Sequence, residues 1–151
     1  MIVRTPEERA ILREGGKRLA RVRAALVERI VAGMRADELN AYAHTLCTQD
    51  GDSPAFLNYR PPGVSRPFPA SICVSINDVV VHGIPTIHPQ VIKDGDLVSV
   101  DVGLIHRGII TDTAITVAVG TVTTRERELI RATEIAPVSY THLTLPTICS
   151  V

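Results

Sequence analysis

Apolar residues near the start of the chain recur at helical spacing. The residues of this stripe lie on one helical face, with arginine and glutamate on the others: Leu12, Leu19, Val22, Leu26 and Ile30. Before them, Thr5-Pro6-Glu7-Glu8 combines a capping hydroxyl, a first-turn proline and a carboxylate three residues after the cap. A long amphipathic helix is therefore predicted from Thr5 to a stop near Gly33.

A second apolar stripe and a proline-rich segment follow this helix. The stripe predicts a shorter helix that ends before Gly51, and its members are Leu39, Tyr42, Ala43, Leu46 and Cys47. Residues 54–69 then include five prolines and a glycine among Phe56, Tyr59 and Phe68. Because proline breaks helices and central strands, this segment is predicted to be a loop whose aromatic residues line a pocket.

Strand-forming residues dominate the rest of the chain up to a final charged helix. Strands are predicted at 71–76, 79–81, 97–105 and 109–119, and a helix at 124–134. Two helices, several strands and a helix suit an α+β fold, with helices on one face of a mostly antiparallel sheet.

Composition narrows the class of protein. The chain has 151 residues, 45% of them hydrophobic, and its 16 basic and 16 acidic residues give zero net charge. These values fit one globular domain with no electrostatic preference for nucleic acid or an anionic membrane. Residues 1–9 lack the apolar core of a signal peptide, and no apolar run could span a bilayer, so a cytoplasmic protein is expected. Three widely spaced cysteines predict reduced thiols.

Two aspartates stand at the centres of the last two predicted strands. If the connecting turn is centred between His106 and Arg107, Asp101 lies directly opposite Asp112 on one face of the hairpin. The neighbours on that face are small and leave room above the acids: Ser99, Gly103 and Ala114. Facing carboxylates repel each other unless a cation lies between them, so this pattern suggests a metal site. The alternative is a solvent-facing surface where water screens the repulsion.

Two segments carry a resemblance to a known family. Residues 68–85, which read FPASICVSINDVVVHGIP, and residues 93–98, which read KDGDLV and lead to Asp101 and Asp112, are similar to bacterial type I methionine aminopeptidases. The resemblance covers about residues 1–136. It implies the pita-bread fold of the creatinase and aminopeptidase superfamily, with only the amino-terminal half present.

The resemblance also implies roles for individual residues. Asp101 would bind one metal ion and Asp112 would bridge two, while His82 would contact the substrate peptide and help to stabilise the transition state. The pocket for the methionine side chain would be lined by Cys73, Phe68, Tyr59 and Phe56. For these four residues a structural alternative stays open, because a strand cysteine is often a small buried apolar residue and loop aromatics often anchor the loop.

The activity implied is removal of the initiator methionine by two-metal hydrolysis. Two divalent ions are expected, and cobalt, manganese, iron and zinc all remain open because carboxylate oxygens accept each of them. The expected partner is a peptide or nascent chain with an amino-terminal methionine. A ribosome contact is left open, and a monomer is expected. The alternatives are a peptidase of the proline dipeptidase type and a noncatalytic peptide-binding domain of the same fold.

The carboxyl-terminal end departs from the family pattern. A metal-binding histidine and two later glutamates of the family have no counterpart here, so the chain alone is expected to be inactive. Residues 138–147 carry no charge and resemble a translated sequencing adaptor. Residues 1–137 are therefore interpreted as a partial catalytic domain and 138–151 as a non-native tail, in which His142 and Cys149 have no function. Solvated or capping roles are expected for His44, His88 and His106.

Overall fold

The computed structural model describes the backbone of residues 3–141 and the side chains of residues 3–136. In chain order the elements are α1 (Pro6–Arg29), α2 (Ala36–Thr48), β1 (Ser53–Pro54), β2 (Ile72–Ile76), β3 (Leu97–His106), β4 (Ile109–Ala118) and α3 (Thr124–Thr141). The segment interpreted as a non-native tail begins inside α3. Its first four residues continue that helix, and the others, including His142 and Cys149, lie outside the described residues.

The capping box predicted for the first helix is present. The Glu8 amide donates to the Thr5 hydroxyl at 3.1 Å, and the Glu8 carboxylate accepts from the Thr5 amide at 2.9 Å. These reciprocal bonds satisfy amides that have no partner inside the helix. The helix ends at Arg29, earlier than the predicted stop at Gly33, whose φ of 92° instead belongs to the following turn.

A four-stranded antiparallel sheet is built around β3. Strand β4 pairs along the whole of one edge of β3, while β2 and the two-residue β1 share the other edge. Residues 79–81 were predicted to be a strand and are not, since after Ile76 the chain turns away and Val80 is 84% exposed. Among the described residues, no helix is both long enough and apolar enough to cross a bilayer.

One face of the sheet packs against α1 and α2. Alternate side chains of β2 and β3 join the helices in the core, because successive residues of a strand point to opposite faces. The buried members include Leu19, Leu26, Leu39, Ile72, Val98, Val100, Val102 and Leu104. The opposite face, here called the site face, carries Cys73, Ser99, Asp101, Gly103 and Asp112. The predicted α+β architecture with helices on one face of an antiparallel sheet is confirmed.

Candidate metal and substrate site

The turn between β3 and β4 sets the positions of the two aspartates. Arg107 and Gly108 occupy it with φ values of 48° and 80°, the left-handed pair that suits a tight hairpin. The turn is therefore centred one residue later than predicted, so Asp112 pairs with Gly103 and Asp101 pairs with Ala114. The prediction that the two acids face each other directly is wrong. They are diagonal neighbours on the same face, because moving the centre by one residue moves the pairing by two.

The two carboxyl groups interact across this diagonal. The pKa of Asp101 is raised to about 6, first by burial and then by repulsion from Asp112 and a hydrogen bond with it, while the electrostatic interaction with His82 opposes the rise. One oxygen of Asp101, Oδ1, is buried and has no hydrogen-bond partner among the described residues. A buried acceptor without a donor is costly, and a bound cation would satisfy it. The acids therefore fit a divalent metal in charge and donor chemistry.

His82 approaches this site from a strained loop. Its φ is 58°, a left-handed conformation that a residue with a side chain seldom adopts, and its side chain is exposed. The next residue, Gly83, lies against β2: its carbonyl accepts from the Val74 amide at 3.0 Å, and its amide donates to the Ser75 hydroxyl at 3.1 Å. A Cβ on Gly83 would overlap the Val74 carbonyl oxygen. Close backbone packing thus fixes the position of His82.

Cys73 pairs with Asp101 across β2 and β3 and belongs to the site face. The residue is 5% exposed. Burial, together with smaller contributions from repulsion by Asp101 and Asp112, raises the pKa of its thiol to about 12. The thiol therefore stays protonated at neutral pH and offers a soft, uncharged surface rather than a nucleophile.

The aromatic residues of the proline-rich loop lie at different depths. The Phe56 ring covers Gly103, where an added Cβ would lie 2.8 Å from its Cε1 atom, and it meets Phe68 edge to face with the ring centroids 6.5 Å apart. Backbone hydrogen bonds close the loop, since the Phe68 amide donates to the Tyr59 carbonyl and the Asn58 amide donates to the Phe68 carbonyl. The Tyr59 side chain is 61% exposed. The room predicted above the acids is therefore partly occupied, since Phe56 fills the space over Gly103.

The described part of the chain supplies few metal ligands. Among those residues, no group of three or more histidine, cysteine, aspartate or glutamate side chains is placed to hold a metal ion. Asp101 and Asp112 are the pair that the structure brings together, with Cys73 beside them and Phe56 over the neighbouring glycine. The exposed ring of Tyr59 does not join this group.

The structure also contains one buried polar cluster that was not predicted from the sequence. His106, for which a solvated or capping role was expected, is buried at the end of β3, where its Nδ1 atom lies 2.7 Å from a carboxylate oxygen of Asp52. Arg18 on α1 donates to the other oxygen of Asp52 at 3.2 Å. Because these residues are 34 and 54 positions apart from Asp52, no local sequence pattern could have revealed the contact.

Comparison with known proteins shows that this chain is similar to methionine aminopeptidases in sequence and in structure. The methionine aminopeptidase of Aquifex aeolicus is 38% identical over 123 residues, which are 82% of this chain and 47% of that protein. The crystal structure of the methionine aminopeptidase from Rickettsia prowazekii has a TM-score of 0.80 at 34% identity, and the match covers 90% of this chain and 52% of that one. The Xaa-Pro dipeptidase from Bacillus anthracis, with a TM-score of 0.66 at 21% identity over 83% of this chain and 32% of that one, shares the fold.

These matches cover most of this chain but only part of each relative. The chain spans about half the length of the curated relatives that it matches. Residues 10–137 match the model of metallopeptidase family M24, which is most of the chain. With the geometry of the sheet, this confirms the pita-bread fold expected from the resemblance. The chain belongs to metallopeptidase family M24.

Proposed function

We propose that the full-length protein removes the amino-terminal methionine from peptides and nascent chains by metal-dependent hydrolysis, and that this chain supplies the first part of its site. One observation carries the proposal. Asp101 and Asp112 share the site face, and the buried Oδ1 atom of Asp101 has no partner among the described residues. The named relatives are methionine aminopeptidases, which favours this substrate class.

The donor set suits two divalent ions. Carboxylate oxygens bind hard and borderline cations, so Asp101 and Asp112 would hold the ions, with Asp112 shared between them. Cobalt, manganese, iron and zinc are each compatible with such oxygens. When bound, the ions would lower the pKa of a water molecule and polarise the scissile carbonyl.

Other residues of the chain would bind and orient the substrate. We assign to His82 a hydrogen bond to the carbonyl oxygen of the scissile peptide, where negative charge develops. Phe56, Phe68, Tyr59 and Cys73 would surround the methionine side chain, since aromatic rings and a neutral thiol make favourable contacts with a thioether. Tyr59 is exposed in the chain, so its part in this pocket depends on a movement toward the ligand or on cover from the rest of the protein.

The division of the chain is also part of the proposal. Residues 1–137 would be the amino-terminal half of the catalytic domain, and 138–151 a non-native tail. With two acids alone, the chain would bind metal weakly and hydrolyse nothing. Reading the source gene through the codons of residues 130–151 and beyond, without an adaptor-based library, tests this point. An open frame that continues into a glycine-rich segment with a histidine and then glutamates supports the division, whereas a stop codon after Val151 contradicts it.

The decisive experiment measures hydrolysis by the full-length protein. We expect cleavage of a Met-Ala-Ser peptide when manganese or cobalt is supplied, and loss of cleavage in Asp112→Asn. Asp78→Asn, a change at an exposed acid of a neighbouring turn, is the matched control and should leave activity intact. Preference for an Xaa-Pro dipeptide would indicate a proline dipeptidase, and peptide binding without hydrolysis would indicate a binding domain. Near-normal turnover by Asp112→Asn would overturn the assignment of that residue.

The proposed function also predicts the cellular location and the oligomeric state of the protein. A peptidase that acts on nascent chains would work in the cytoplasm, and a monomer would suffice because the site lies within one chain. Size-exclusion chromatography with light scattering of the full-length protein tests the oligomeric state, and a stable dimer would contradict this part.

A further inference from the structure

A chain of hydrogen-bonded polar side chains lies on the helix-facing side of the sheet, away from the candidate metal and substrate site. Asp52 is its centre: one carboxylate oxygen is 2.7 Å from Nδ1 of His106, and the other is 3.2 Å from a guanidinium nitrogen of Arg18. These three residues are called the Asp52 cluster. Glu14 extends it toward solvent through a 3.1 Å contact with Arg18.

The Asp52 cluster is largely shielded from water. The side chains of Asp52 and His106 are 7% and 10% exposed, and that of Arg18 is 25% exposed. Glu14 is 45% exposed and so contributes little, because water screens surface ion pairs. Removing one partner of a shielded pair leaves the other without compensation, which is much more disruptive. The contacts of Asp52 therefore hold three elements in one arrangement: α1, the end of β3 and the chain entering β1.

Asp52 precedes β1, a short strand that makes few hydrogen bonds with the rest of the sheet. Strand β1 consists of Ser53 and Pro54, which pair with Ile105 and Leu104. Proline has no amide hydrogen to donate to a sheet, so Pro54 adds no such bond. The next sheet-like bond is from the Ala55 amide to the Gly103 carbonyl at 2.9 Å. The Asp52 cluster thus secures the start of a segment whose own hydrogen bonds are few.

That segment delivers Phe56 to the site face. Phe56 packs over Gly103, where the absence of a Cβ allows the ring to approach. Gly103 pairs with Asp112, so the ring lies beside one of the two acids. A shift of the chain at Asp52 would pass through only three residues before it reaches Phe56. The cluster is the nearest shielded side-chain hydrogen-bond network on the amino-terminal side of this ring among the described residues.

We propose that Asp52, held by His106 and Arg18, is a positioning residue that fixes Phe56 as a wall of the substrate side-chain pocket. This inference rests on the proposed function for the identity of the pocket. The link from Asp52 to Phe56 stands on the contacts of the chain itself. Asp52 acts through Phe56 and does not touch the substrate.

The first test uses the 151-residue chain. Its sequence contains two phenylalanines, so labelling with 4-fluorophenylalanine gives two fluorine NMR signals, assigned with Phe56→Leu and Phe68→Leu. We expect Asp52→Asn to shift or broaden the Phe56 signal. Glu14→Gln, which removes the solvent-exposed end of the cluster, should leave that signal unchanged. If Asp52→Asn does not fold by circular dichroism, Arg18→Met removes one contact of Asp52 and should move the same signal less.

An unchanged Phe56 signal in a folded Asp52→Asn or Arg18→Met variant overturns the link between Asp52 and Phe56.

The second test uses the full-length enzyme. There, Asp52→Asn should raise KM for a methionine peptide by about tenfold, the scale of a changed apolar pocket contact, while kcat stays within about twofold. Asp52→Glu, which keeps the charge, should recover part of the KM.

The two tests separate the inference from the function on which it rests. If the unsubstituted full-length protein cleaves no methionine peptide, the proposed function fails, and the fluorine signals still decide whether Asp52 positions Phe56. If Asp52→Asn lowers kcat and KM is unchanged, Asp52 does not shape the pocket, and this inference is overturned while the proposed function stands.

Discussion

Replacing Asp101 with asparagine should stabilise the chain at neutral pH, although it removes a proposed metal ligand. The side chain is held where burial and Asp112 disfavour its charge, so its pKa is about 6 in the folded chain against an ordinary value of 3.8. Between these values the folded state binds the proton more tightly than the unfolded state does. The free energy of unfolding therefore falls as the pH rises from about 4 to about 6.

The size of the effect follows from the same numbers. The difference between 3.8 and about 6 corresponds to about 3 kcal/mol, since each pH unit is worth ~1.36 kcal/mol. Asp101 is partly exposed, so water reduces this, and we expect a gain of about 1–2 kcal/mol for Asp101→Asn at pH 7. Below about pH 3.5 the acid is protonated in both states, and the gain should vanish because asparagine and a protonated aspartate have the same shape.

Urea unfolding followed by circular dichroism measures this gain at about pH 3.5 and pH 7, with EDTA present to remove metal. Asp78→Asn, at an exposed turn position, is the control and should change the free energy of unfolding by under about 0.5 kcal/mol. A loss of stability in Asp101→Asn that is the same at both pH values would refute the reasoning. Asp101 would then stabilise the fold by its contacts rather than weaken it by its charge.

Four further substitutions test the packing and the cap of the first helix. Gly103→Ala should lower the free energy of unfolding in urea by about 1–3 kcal/mol, because the added Cβ would collide with Phe56. Gly16→Ala should raise it by about 0.5–1 kcal/mol, because a Cβ at that helical position has no atom within 4 Å. Leu26→Ala should cost about 2–5 kcal/mol in the same assay because the side chain is fully buried, and a smaller loss would place it outside the core. Thr5→Ala should lower the stability by about 1 kcal/mol through loss of its cap, and an unchanged urea midpoint would contradict that role.

Local sequence signals predicted most of the elements because each depends on neighbouring residues. The cap at Thr5, the two helical stripes and the alternation in the hairpin all appear in the structure as helices and strands. The segment 79–81 shows where such signals fail. Its valines favour a strand, but the chain turns so that Gly83 lies against Val74, and residues 79–81 pair with no strand in the described part of the chain. Tertiary packing outweighs β propensity there.

The candidate site was predictable in composition but not in register. The sequence allowed Asp101 and Asp112 to be placed on one face, because any two-residue shift of the pairing keeps the face. It did not reveal that Arg107 would take a left-handed conformation and move the turn onto Gly108. It also gave no sign that Phe56 would fill the space above Gly103, since that contact joins residues 47 positions apart.

This register explains how the sheet can hold two acids before any metal is bound. Directly opposed carboxylates would lie at the closest cross-strand distance, whereas a diagonal pair on antiparallel strands is ~7–8 Å apart at Cα and can still meet through its side chains. The diagonal lowers the repulsion that folding must overcome, and the remaining repulsion adds to the rise that burial causes in the pKa of Asp101. Because the residue opposite Asp112 is Gly103, which has no Cβ, the Phe56 ring can lie beside the acids. One hairpin register thus places both the proposed metal ligands and the nearest wall of the proposed pocket, so a substitution that altered the Arg107-Gly108 turn should disturb both together.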